Sequence, residues 1–350
     1  MSPQRLMSLT ELKADVDADA ALHMPDVIYD IQSNDHAMCF DVVPMSVHIP
    51  GEDDVVGLTL EINRLDPTPD AAQYVFSRWS RQQLLQLLGT KEKWFSFVGL
   101  ESQAAELNLR VHALHGYNLR TSRAVDEEFP VRFVRGVVSS VYADIPHTEI
   151  MDAIIAKMPA DSMALRRPSG LSDRAFYAYV VSPLPLEIPG TAFKAYPGAV
   201  VRNSDVGYTS LYVIPTLTIS VHAMPVVMES KAVLKRIHRG KIDLGEKFEE
   251  AFTQCSMLWV EIAAKLPYLA SKSYPTKDAA IAAMSTILTA SLATKEFILK
   301  CVRAYGQVPR RDTALDIFEA VAEVSATYTD RDDSYAMGSI AGAILAKLLF

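Results

Sequence analysis

Residues 192–222, AFKAYPGAVVRNSDVGYTSLYVIPTLTISVH, read as two strands joined by a turn. The Asn203-Ser204-Asp205-Val206-Gly207 stretch between them has the residue types of a tight turn, since Asn and Gly tolerate the positive φ that it needs. Working outward, 174–182 and 131–142 read as further strands. The latter, VRFVRGVVSSVY, puts Val131, Phe133 and Arg135 on one face and Arg132 and Val134 on the other. Residues 37–64 alternate around Gly51-Glu52-Asp53-Asp54 and predict a hairpin or meander, and 95–100 and 108–120 read as further strands. Two helices interrupt these segments. One is capped by Asp70, carries Ala71, Val75, Trp79, Leu84, Leu87 and Leu88, and stops at Gly89; the other starts near His147, with Ile150, Ile154 and Met158 on its apolar side.

From Leu244 the pattern changes. LGEKFEEAFTQCSMLWVEIAAKL opens a run of helices at 244–266, 277–304, 311–328 and 333–349, with breaks at Pro267, Pro275 and Pro309. The predicted fold is therefore α+β: an antiparallel sheet body with flanking helices, followed by an all-helical C-terminal part. The corresponding domains are 1–242 and 243–350. The small residues Ala279, Ala280, Ala282 and Ala283, with Ala341, Ala343 and Leu348 near the end, would allow close helix approach, within the chain or between copies of it.

Charge narrows the partners. The chain has 350 residues and a net charge of −8, all of it in the first hundred residues, which hold 15 acids and 7 bases. An anionic partner would meet the later, neutral part. Three cysteines, Cys39, Cys255 and Cys301, form no C-x-x-C and predict a reducing compartment. The N-terminal segment lacks a secretory pattern, and the uncharged stretch between Asp278 and Lys295 is too short to span a bilayer. A cytoplasmic protein without membrane attachment is expected.

The sequence carries no P-loop, no dinucleotide fingerprint, no G-x-S-x-G and no H-E-x-x-H. His112 and His115 would face opposite sides of a strand, and no carboxylate or thiol completes a metal set. Glu127-Glu128 and Asp332-Asp333 read as solvated turns. A nuclease around Asn203, Ser204, Asp205 and His238 would need convergent carboxylates that the spacing does not offer. The balance is against an enzyme, and no cofactor or metal is expected.

One segment stands out. Lys231-Ala-Val-Leu-Lys235-Arg236-Ile237-His238-Arg239-Gly240-Lys241 holds five bases and a histidine with no acid. Such a cluster faces phosphates or complements a helix C-terminus. Tyr208 and Tyr212 share a strand parity, as do Tyr177 and Tyr179, with Arg174 and Arg202 close by; aromatics beside cations are what single-stranded nucleic acid requires.

Five ordered segments resemble the phage- and plasmid-encoded family DUF932, which includes the UPF0380 proteins. They are Arg78-Trp79-Ser80-Arg81-Gln82-Gln83-Leu84 with Gly89; the 131–142 strand with Arg135, Ser139 and Tyr142; Gly198 followed by Asn203-Ser204-Asp205-Val206-Gly207; Arg236-Ile237-His238-Arg239-Gly240; and Thr313-Ala314-Leu315-Asp316 leading to Ala320-Val321. The chain departs from that family at Val221-His222-Ala223-Met224, where a Cys and an Asn-Gly pair are usual, and at Glu319, where an Asn is usual. The resemblance implies a mobile-element protein of a bacterial cytoplasm, in the company of DNA-metabolism genes, and implies no reaction. The expected function is DNA binding, in its finer form single-strand binding or annealing in replication or recombination, by a homo-oligomer. Its candidate contacts are Arg135, Arg202, Tyr208, Tyr212, Lys235, Arg236, His238 and Arg239. The alternative is a self-assembling structural or host-factor interaction protein with no nucleic-acid activity.

Overall fold

The computed structural model describes residues 6–23, 27–29, 39–47, 55–63, 73–90, 93, 97–111, 117–123, 132–139, 141–172, 174–187, 194–219, 225–239, 243–307 and 311–349. Its strands, in chain order, are β1 (Leu6–Ser8), β2 (Val27–Tyr29), β3 (Cys39–Val47), β4 (Val55–Asn63), β5 (Gln73–Phe76), β6 (Tyr117–Arg123), β7 (Arg132–Ser139), β8 (Met163–Leu165), β9 (Gly170–Leu171), β10 (Phe176–Val181), β11 (Leu186–Glu187), β12 (Lys194–Asn203), β13 (Leu211–Ile219), β14 (Pro225–Val227) and β15 (Leu234–Arg236). The helices are α1 (Leu9–Ala20), α2 (Arg78–Leu87), α3 (Leu100–Val111), α4 (His147–Lys157), α5 (Leu244–Ser271), α6 (Lys277–Ala290), α7 (Lys295–Gln307), α8 (Ala314–Ser325) and α9 (Arg331–Leu349). The fold is α+β, with mostly antiparallel pairing and a C-terminal run of helices.

The chain divides into two compact units. One comprises Met1–Asp17, Ile145–Asn203 and Thr209–Phe350; the other comprises Ala18–Asp144 and Ser204–Tyr208. This partition cuts across the change of pattern at 242/243, because helices α5 to α9 share the first unit with a sheet. That sheet runs β1-β8-β10-β12-β13-β14, with β9 on β10, β11 on β12 and β15 on β13. All six residues of β10, FYAYVV, are buried, as befits a central strand covered on both faces. Phe176, Ala178 and Val180 join Ile150, Ile154, Phe248 and Phe252 in one apolar cluster, to which α1 adds Leu9, Leu12 and Val16. A second cluster gathers Trp259, Ile262 and Leu266 of α5 with Met284, Phe297, Phe318, Ile344 and Leu345. Each such side chain contributes about 1.5–3 kcal/mol by leaving water. Ala280 and Ala341, small residues of the alanine-rich helices, are fully buried in this cluster.

The second unit holds the sheet β2-β6-β7-β5-β4-β3, in which β3 and β4 form the expected hairpin and β5 and β7 pair in parallel. Helix α2 begins at Arg78, capped by the Ser77 side chain, and Gly89 follows it at φ +69°. Residues 73–76, expected to be helical, instead form β5, and Asp70 lies outside the described residues.

Three expectations need correction. Residues 100–111 are helical, with Ala104 and Leu107 buried at helical spacing, so no strand begins at 108. Helix α5 continues through Pro267 to Ser271. The lost hydrogen bond there costs about 3 kcal/mol and is offset by burial of Leu266 and Leu269. The segment 277–304 is interrupted after Ala290, where Leu292 takes φ +59°, a break that neither Pro nor Gly announces. His112, His115 and Glu127-Glu128 lie outside the described residues.

Candidate nucleic-acid interface

Register brings four of the residues singled out above into one row. Tyr177 pairs with Arg202 across β10 and β12, Arg202 with Tyr212 across β12 and β13, and Tyr212 with Lys235 across β13 and β15. Directly paired residues of antiparallel strands project from the same face, so the row alternates aromatic, cation, aromatic, cation. Tyr177 is buried, the Arg202 side chain is 12% exposed, Tyr212 is half-buried and Lys235 is exposed.

The buried end of the row is held by its own neighbours. The Arg202 guanidinium carbon lies 4.3 Å from the ring centre of Tyr335 and 5.8 Å from that of Tyr177, and its Nη1 is 3.9 Å from Glu229 Oε1. The Tyr335 hydroxyl donates to Glu229, and the Tyr177 hydroxyl donates to Asp332 Oδ1 at 2.6 Å. Asp332, read from sequence as part of a solvated turn, also accepts from Ser172 and faces Arg174 at 3.9 Å. Sequence proximity could not show this, because Asp332 reaches strand β10 from the first turn of α9. Burial pushes the Tyr335 and Tyr179 phenols well above their ordinary range. The Tyr179 hydroxyl, fully buried, meets no hydrogen-bond partner among the described residues.

The solvent end is different. Lys235 Nζ lies 5.5 Å from the ring centre of Tyr212. Arg236, paired with Leu211, projects from the opposite face of β15 and donates to the carbonyl of Arg239 at 2.8 Å, a short turn that holds Arg239 beside it. Lys235, Arg236 and Arg239 are exposed, and among the described residues none of them pairs with a carboxylate. Ile237 between them is 61% exposed. His238 is buried, which removes its imidazole from direct reach of a phosphate in solvent.

Arg135 and Tyr208 belong to the second unit and serve a clasp there. Arg135 Nη2 bonds Asp205 Oδ2 at 2.7 Å. The Val206 carbonyl accepts from Trp79 Nε1 at 3.2 Å and from Gln83 Nε2 at 2.7 Å, while Gln83 Oε1 accepts from Val137 N at 2.9 Å. The Tyr142 hydroxyl donates to the Ser204 carbonyl, and Tyr208 packs edge-on against Trp79 with ring centres 5.0 Å apart. Gly136 makes room for this segment, since a Cβ there would stand 2.6 Å from Val206 Cβ. Residues 204–206, expected only to make a tight turn, are thus buried. Three of the five segments quoted above, around Trp79, Arg135 and Asp205, meet at this one place. A fourth, Thr313 to Asp316, is a capping box: Thr313 Oγ1 accepts from Asp316 N while Asp316 accepts from Thr313 N at 2.8 Å.

Among the described residues no group of three or more His, Cys, Asp or Glu could hold a metal ion, and no helix is long and apolar enough to cross a membrane. Comparison with models of known families, with curated proteins and with solved structures returns no match.

Proposed function

We propose that the protein binds single-stranded nucleic acid along the β15 edge of the first unit. Lys235, Arg236 and Arg239 contact phosphates, and Tyr212 offers its ring to a base. The observation that carries this reading is the Tyr212–Lys235 pair at the solvent end of the row, beside two further exposed cations with no carboxylate partner among the described residues. In a chain of net charge −8, three such cations within five residues concentrate positive potential locally. Arg135, Arg202, Tyr208 and His238 support the scaffold in this account and are not contacts.

The five ordered segments support placement with the DUF932 proteins, and with it a role in a bacterial cytoplasm for a phage or plasmid, in strand binding or annealing by a homo-oligomer. Photocrosslinking of bromodeoxyuridine-substituted single-stranded DNA tests the site directly. Label on the peptide containing Tyr212 is expected. Label confined to peptides of the second unit would contradict the reading.

A further inference from the structure

A second site lies away from the β15 edge, within the first unit. A cleft of about 460 Å³ opens between α4, α5 and strand β12. That volume falls in the range of small-molecule sites, roughly 300–1,000 Å³. Its wall is mostly carbon, with Met158, Pro197, Phe252 and Trp259 prominent. The Trp259 indole donates to the Gly198 carbonyl at 3.0 Å, which satisfies its polar edge and fixes the ring as part of the wall.

Two polar features select the ligand. Lys157 and Glu249, on the rim, pair with each other at 2.7 Å, so the cleft presents no uncompensated charge from them. Ser162 lines the cleft, is 5% exposed, and its hydroxyl makes no hydrogen bond among the described residues. A hydroxyl without a protein partner at the wall of a cleft is one that a ligand's hydrogen-bonding group can meet.

We propose that this cleft binds a neutral, largely apolar small molecule carrying one hydrogen-bonding group, which meets Ser162 while its body lies against Phe252 and Trp259. The proposal stands apart from the nucleic-acid reading, and either can fail alone.

The test uses the full chain and 1-aminoanthracene, a neutral fluorescent aromatic amine. Saturable binding of one probe per chain is expected. Thr253→Trp places a bulky ring in the cleft from an exposed helix position and should weaken the probe by about tenfold. Ser162→Ala should weaken it by about threefold. Val260→Trp, from a position 74% exposed at the same cleft, provides an independent block should the first variant fail to fold. Absence of saturable binding, or unchanged affinity in a folded blocking variant, would overturn the proposal. So would probe affinity that falls as protein concentration and scattering mass rise together, which would assign the cleft to a second copy of the chain.

Discussion

Arg135 Nη2 and Asp205 Oδ2 stand 2.7 Å apart, their side chains 20% and 8% exposed, joining strand β7 to the segment after β12. This pair organises the second unit, because Asp205 brings with it the Ser204 and Val206 carbonyls that Tyr142, Trp79 and Gln83 hold. Removing one partner of a largely buried pair strands the other charge. Asp205→Ala is expected to lower unfolding free energy by about 3 kcal/mol in urea titrations. A loss within the 0–1 kcal/mol typical of surface pairs would show the pair to be ornamental.

At Gly136 the constraint is steric. An added methyl would overlap Val206, and Gly136→Ala is expected to cost about 1–3 kcal/mol by overpacking. Thermal melts would check this, and a wild-type midpoint would contradict the close approach.

Arg202 separates structure from binding. Arg202→Lys replaces the guanidinium over the Tyr335 ring and is expected to destabilise by about 1–2 kcal/mol with nucleic-acid affinity unchanged. Unaltered stability with weakened binding would instead make Arg202 a contact.

The thiols of Cys255 and Cys301 are pushed by burial up to about 12, from an ordinary value of 9.0. The folded state therefore holds these protons more tightly than the unfolded chain. The associated stability is intact below pH 9 and is lost progressively as pH rises from 9 toward 12. Denaturation midpoints should fall over that window, and neither thiol should label readily in the folded protein at pH 8. Fast labelling of both would contradict the burial.

Much of the sheet was legible because alternation reports a strand directly. The β3–β4 hairpin falls where alternation placed it, and β10, β12 and β13 fall where strands were expected. The helix at 100–111 was not legible, since its apolar residues are few and also fit a strand. The break at Leu292 has no Pro or Gly to mark it. For the site, parity along single strands paired Tyr177 with Tyr179, yet the row from Tyr177 to Lys235 depends on register across four strands, which one sequence does not encode locally. Asp332, Glu229 and Tyr335 enter from a helix and a turn distant in the chain, so their role around Arg202 carried no local signal. Arg135 stood out as a cation, but its partner was legible only once Asp205 was seen to be buried.

The central claim rests on the cations of the β15 edge. Fluorescence anisotropy with a labelled single-stranded oligonucleotide, across a salt series, should be compared between the wild-type chain and Lys235→Ala/Arg236→Ala/Arg239→Ala. The account predicts salt-sensitive binding by the wild type, and for the variant weaker binding with a log–log salt slope reduced by about 2, as three lost phosphate contacts on a single strand require. Equal affinity and equal slope in the folded variant would contradict it.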